Sequence, residues 1–266
     1  MFASTVAIIS ILTGIVLVGT SLAGHAFGAW TSPSPVTPGV VGAAMLGVVP
    51  GLLAVSRAGA WEQVRTLVWP LATVVAGMFV LCLVDHRELQ IVRGGPILAV
   101  FFSLGWVGVF AVLSLCLLAC LPRQFAQPTG VAASPRVGLP AWTKPALALL
   151  GSSWFGIGVG LLFRPGFWAR FVPWSVTGLD AQALGIWSLA LGVGVLGTLA
   201  EDDLARARPA LLSSGATALA LGLVLAAHPG GVRWSGGPAF SLLTMVAGLL
   251  VSSVAGRRIL AAASSD

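Results

Sequence analysis

An all-α, eight-span transmembrane helix bundle built from two parallel four-helix repeats is the fold the sequence predicts. Three observations lead there. Of 266 residues, 57% are hydrophobic and only 8% are charged, where a soluble domain carries about 25% charged residues. The apolar residues gather into eight runs, each near the roughly 20 residues that cross a hydrocarbon core. Segments of the first half also recur in the second. A mean hydropathy of +0.99 excludes a water-soluble globule, a disordered chain and a disulfide-stapled secreted module.

In chain order the runs cover roughly 5–24, 39–56, 66–84, 96–121, 145–163, 181–200, 210–228 and 238–256. Each is expected to be helical, because a helix satisfies its own backbone groups in lipid and the runs are too uniformly apolar for barrel strands. The first run is followed by small residues (Ser21, Ala23, Ala26), as a signal peptide would be. No positive charge precedes it, however, and a secretory leader needs one. Residues 1–121 form the first repeat and 145–266 the second with a short tail. The Pro-, Gly- and Ser-rich stretch 122–144 links them on the cytoplasmic side.

The duplication is read from specific matches. At an offset of 140, Phe27, Ala29, Pro33, Val36, Thr37 and Ala43 recur as Phe167, Ala169, Pro173, Val176, Thr177 and Ala183. At 142, His86 recurs as His228 and Gly94-Gly95-Pro96 as Gly236-Gly237-Pro238; Pro70 and Pro209 match at 139. Four spans return the chain to the side it left, so the copies share one orientation and an axis along the membrane normal. Thr37 and Thr177 are expected to cap the following helices. Gly47/Gly51, Gly156/Gly160 and the Gly192, Gly194, Gly197 cluster mark expected close helix contacts.

Both termini then lie on one face. That face carries Arg57, Arg65, Arg123, Arg136, Lys144, Arg206, Arg208, Arg257 and Arg258, nine basic residues; the other carries Arg87, Arg93, Arg164, Arg170 and Arg233, five. Nine against five predicts cytoplasmic termini in the plasma membrane. Trp30, Trp168, Trp174 and Trp234 on the outer side, with Trp61, Trp69 and Trp142 on the inner, are expected as interfacial belts. The net charge of +6 is scattered singly between apolar runs. It forms no stripe for nucleic acid; the expected partners are the lipid bilayer and, at most, a second copy or another membrane protein.

The run Phe171-Val172-Pro173-Trp174-Ser175-Val176-Thr177-Gly178-Leu179-Asp180-Ala181, with Leu184-Gly185-Ile186-Trp187, resembles a pattern in uncharacterised polytopic membrane proteins of high-GC actinobacteria. Those proteins show a Trp-Pro-Leu-Thr-Pro-like loop before a Gly-Ala-Trp helix. Here the order is Pro173-Trp174, Gly178 stands for the second Pro and Ile186 for Ala. The resemblance implies a membrane protein and transfers no activity and no site residue.

Chemistry-bearing residues are sparse. No carboxylate or basic residue falls in the middle of a run, where charge is costly and marks ion or proton pathways. His25, His86 and His228 fall on the outer side; His86 and His228 are candidate haem or metal ligands, with His25 as a further metal candidate. Their spacing matches no metal motif, so no cofactor is expected. Asp85, Glu88 and Asp180 are the candidate acid/base group, since paired carboxylates can divide acid and base roles when burial separates their pKa values. Asp180, three residues after Thr177, equally fits a capping box. Glu201-Asp202-Asp203 with Arg206 and Arg208 reads as a solvated inner turn. The function these features favour is a small permease-like or accessory membrane component. An intramembrane enzyme for a lipophilic substrate is the first alternative, and a haem- or metal-binding membrane protein the second.

Overall fold

A computed structural model describes residues 2–59, 63–126 and 137–263. Among the described residues eight helices are long and apolar enough to cross a membrane. They are α1 (Phe2–Leu22), α2 (Val36–Ser56), α3 (Arg65–Val84), α4 (Ile97–Ala126), α5 (Lys144–Phe163), α6 (Gly178–Glu201), α7 (Leu204–Ala227) and α8 (Gly237–Ala263). The fold is that of a multi-pass helical membrane protein. Its outer surface agrees: Leu12, Ile97, Leu98, Phe101, Leu115, Leu149, Phe163 and Phe240 are all more than half exposed. Water would not tolerate an apolar surface of that extent.

Several helices outrun the apolar segments that announce them. α4 continues to Ala126, α7 begins at Leu204 and α8 reaches Ala263. Their extra turns carry Arg206, Arg208, Arg257 and Arg258, which hydropathy alone excludes from a span. Of the expected linker 122–144, the start belongs to α4 and Ala141–Thr143 forms a 3-10 turn leading into α5; residues 127–136 lie outside the described ones.

The loops at 23–35, 85–96, 164–177 and 228–236 share the face opposite the chain ends, called distal below; the face of the chain ends is called terminal. α1 packs along α2 and α5 along α6. α2 packs on α7 and α6 on α3, while α4 leans on α3 and α8 on α7. α2 and α6 therefore form the centre, and α4 and α5 the rim.

Close backbone approach sets the central contacts. A Cβ at Gly47 would overlap Thr217, and one at Gly51 would overlap Ser213 and crowd the Pro209 carbonyl, so α2 and α7 touch through glycine as expected. On α5 the register differs from the expected Gly156/Gly160 pair. Gly156 faces open space and Gly160 faces the Trp168 ring, whereas Gly158 meets the backbone of α6 at Leu189 and Gly185. Gly192 meets Phe155 and Gly194 only the Pro70 ring, while Gly197 touches nothing. Spacing found the helices that approach closely but not which glycines do it.

Gly94 and Gly236 hold φ of +79° and +131°, a region that favours glycine. Each precedes a Gly-Pro pair that opens a long helix, α4 or α8.

Candidate functional site: a cavity below the distal face

Two indole pins hold the distal face together. Thr177 caps α6 in a complete capping box with Asp180, as its spacing predicts. The fully buried Asp180 does more than cap. Its Oδ1 accepts from Trp30 Nε1 at 2.8 Å and from Ser32 Oγ at 2.5 Å, and its Oδ2 accepts from the Thr177 N–H at 3.0 Å. The positive end of α6 faces the same carboxylate. The loop between α1 and α2 is thus fastened to the start of α6. The converse bond runs from Trp174 Nε1, in the loop before α6, to Thr37 Oγ1 in the first turn of α2, at 2.9 Å. Thr37 does not cap α2; Pro35 occupies the cap position without a side-chain bond, and Ser34 Oγ accepts from the Val36 N–H. Trp30 and Trp174 are accordingly buried and do not belong to an interfacial belt. Trp234 and Trp69, 40% and 43% exposed, are placed as belt residues would be.

The other candidate site residues stay apart. Glu88 pairs with Arg93 at 2.7 Å in the solvent-exposed loop after α3. Asp85 closes the C-terminus of α3 through its backbone N–H to Leu81 O. No hydrogen bond among the described residues joins any two of Asp85, Glu88 and Asp180. His25 is exposed in the loop after α1. Exposed His86 rests its Nδ1 on Leu83 O at 3.1 Å. His228 is half-buried and placed between two carbonyls, with Nδ1 2.8 Å from Val224 O and Nε2 2.9 Å from Ser21 O. It bridges the distal ends of α7 and α1. No group of three His, Cys, Asp or Glu able to hold a metal forms among the described residues.

The terminal face carries an ionic knot where the sequence suggests a solvated turn. Asp203 and Arg206 are buried. Arg206 donates to Glu201 at 2.8 Å and pairs with Asp203 at 3.2 Å; Arg65 approaches Glu201 at 3.8 Å. Thr66 Oγ1 donates to Arg206 O. The knot ties α3, α6 and α7 together. Beside it, exposed Asp202 accepts from Lys144 Nζ at 2.7 Å and from the Leu139 N–H at 3.1 Å. The Lys144 bond, then the Leu139 bond, hold its carboxyl below the ordinary aspartate range.

The feature with room for chemistry is a cavity of about 570 Å³, mostly in the second half, with Val40 and Ala44 of α2 and Leu221 and Leu225 of α7 in its wall. That volume falls within the ~300–1,000 Å³ of small-molecule sites. α5 contributes Trp154, Ile157 and Leu161; α6 contributes Leu184, Trp187, Ser188 and Leu191; α8 contributes Leu242, Met245 and Val246. Trp168, Arg170, Phe171 and Trp174 roof it at the distal end. α5 and α8 touch only lightly, so the wall between them is sparsely packed. Below lies a cavity of about 70 Å³ that shares Trp187 and Leu191 with the first. A third, of about 190 Å³ near the terminal face, shares Leu147, Thr198, Leu211 and Ser252 with the second. Thr198, Ser213, Ser214 and Ser252 bring hydroxyls to the middle one; each already donates to a helix carbonyl, which leaves its oxygen as an acceptor.

Sequence reasoning missed this cavity: its lining comes from α2, α5, α6, α7, α8 and the loop 164–177, and no local pattern brings those residues together.

The fold and the cavity define a class: a multi-pass membrane protein with an apolar internal site. No family model, no curated protein and no solved structure matches the chain.

Proposed function

We propose that this is a small permease-like component of the plasma membrane that passes the chain of a lipophilic or amphiphilic molecule between its helices. Both termini are cytoplasmic, and residues 1–121 and 145–266 are parallel copies. The single observation that carries the transport reading is the run of three cavities with shared walls, from the Arg170 roof to the Trp142 end. Orientation is supported by the nine-to-five distribution of basic residues between the two faces. The duplication is supported by the sequence matches and by a packing pattern in which α1–α2, α2–α7 and α3–α4 correspond to α5–α6, α6–α3 and α7–α8. The resemblance to actinobacterial polytopic proteins belongs to the same reading and assigns no activity.

Reconstitution tests it. Vesicles of phosphatidylcholine and phosphatidylglycerol carry a trace of NBD-labelled phospholipid, and external dithionite bleaches whatever reaches the outer leaflet. Bleaching should proceed past the outer-leaflet half in vesicles holding the protein, and Leu191→Trp, which narrows the passage between the first two cavities, should restore the plateau. A plateau at half with the wild-type protein would overturn the reading.

A further inference from the structure

We infer that the large cavity receives one chain of an anionic phospholipid, whose phosphate is held at the mouth by Arg170. The inference rests on the reading above and names the ligand of that site. Its first support is the cavity's chemistry: the wall is apolar and aromatic, with Ser188 and Ser241 among its few polar side chains. A hydrocarbon chain fits such a lining, and a polar solute would leave its hydrogen-bonding groups unpaired.

The second support is independent and electrostatic. Arg170 lines the cavity, and its guanidinium carbon lies 3.5 Å from the Phe167 ring centroid and 5.1 Å from that of Phe171. Two aromatic faces orient the cation, yet no carboxylate or carbonyl among the described residues binds it. Its planar set of donors is therefore free for a phosphate, which arginine binds in bidentate fashion. The surroundings share the sign. The distal loops of this half, 164–177 and 228–236, hold Arg164, Arg170 and Arg233 and no Asp or Glu. The nearest acid in sequence, Asp180, is buried and bound by Trp30 and Ser32. By contrast the distal loop 85–96 balances Arg87 and Arg93 with Asp85 and Glu88. An anionic head is drawn to the second half.

The third support is position. The roof lies at the distal end of α5, α6 and α8, level with lipid headgroups, and the lightly packed α5–α8 wall faces the bilayer. A lipid can place its head on Arg170 and slide one chain inward without leaving the membrane.

Tryptophan fluorescence provides the test, because Trp154, Trp168, Trp174 and Trp187 all line the cavity. The full-length protein in neutral detergent is titrated with phospholipids brominated on one chain, which quench on contact. Phosphatidylglycerol should quench at a several-fold lower concentration than phosphatidylcholine. Arg170→Gln should remove that difference, Arg170→Lys should keep part of it, and both variants should keep the wild-type thermal midpoint. Excess glycerol phosphate, a head without a chain, should leave quenching unchanged. Equal quenching by the two lipids, or a preference that survives Arg170→Gln, would overturn the headgroup assignment while leaving the cavity reading intact. Displacement by glycerol phosphate would overturn the chain assignment. Absence of quenching by either lipid would overturn the transport reading itself, and this inference with it.

Discussion

Of the wedge between α1, α2 and α4 and the wedge between α5, α6 and α8, only the first is full. In the first, Phe27 meets Phe102 at 5.0 Å, Trp30 meets Trp106 at 6.0 Å, and Trp106 meets Phe110 at 5.0 Å. What space is left there amounts to about 10 Å³. In the second, Trp154, Trp168, Trp174 and Trp187 stand in the wall and about 570 Å³ stays open between them. The helix at the edge of the first wedge, α4, brings Phe102, Trp106 and Phe110 into it, whereas α8 lines the second with Ser241, Leu242, Met245 and Val246.

Breaking the full wedge should have the largest effect. Trp106→Ala removes the centre of the aromatic stack and should cost about 3–5 kcal/mol, read as a lower thermal midpoint in detergent. Nearly as large is the loss of the carboxylate joining the halves. Asp180→Ala leaves the Trp30 indole, the Ser32 hydroxyl and the Thr177 N–H without their acceptor and should cost roughly 3 kcal/mol. Asp180→Asn keeps the shape and one acceptor oxygen, and should fall between that variant and wild type. If both substitutions were silent, the pin would be without weight.

Glycine contacts sharpen the comparison at a lower level. Gly47→Val should push α2 from α7 at Thr217 and cost about 1–3 kcal/mol. Gly156→Ala, at a glycine with nothing within reach, should shift the midpoint by less than about 0.5 kcal/mol. A reversed order would mean that spacing, not the observed register, identifies the contact.

The smallest effect is pH-dependent. The folded carboxyl of Asp202 titrates below its ordinary value of 3.8. Its bonds to Lys144 and Leu139 therefore add stability above that pH, and the addition disappears as the pH falls through the depressed folded value. The protection factor of the Leu139 amide, its exchange relative to the unstructured rate at the same pH, should hold at neutral pH and fall only below about pH 4; in Asp202→Asn it should not change over that range.

Much of this was legible in the residues. Apolar runs announce all eight helices because lipid leaves backbone groups no partner outside a helix. The Thr177–Asp180 box was readable because capping is local, settled within one turn. Helix ends were less so: the charged turns at Arg206 and Arg257 continue the helices past their apolar segments, and at Arg206 burial and ion pairs with Glu201 and Asp203 support the turn, which hydropathy does not weigh. Arg206 and Asp203 read as solvated because the acids and bases that bury them come from α3 and α6 as well as α7. The Trp30–Asp180 and Trp174–Thr37 bonds join residues 150 and 137 positions apart, beyond any local pattern. The cavity is lined from five helices and the loop 164–177, so no single segment of sequence announces it.

The central claim is that the open wedge of the second half is a binding vessel. Native mass spectrometry of the full chain extracted in mild detergent tests it most directly, wild type beside Ser188→Phe, which places a ring in the cavity. The account expects one phospholipid retained on the wild-type protein and lost from Ser188→Phe at an unchanged thermal midpoint. A lipid retained equally by both, or by neither, would contradict it.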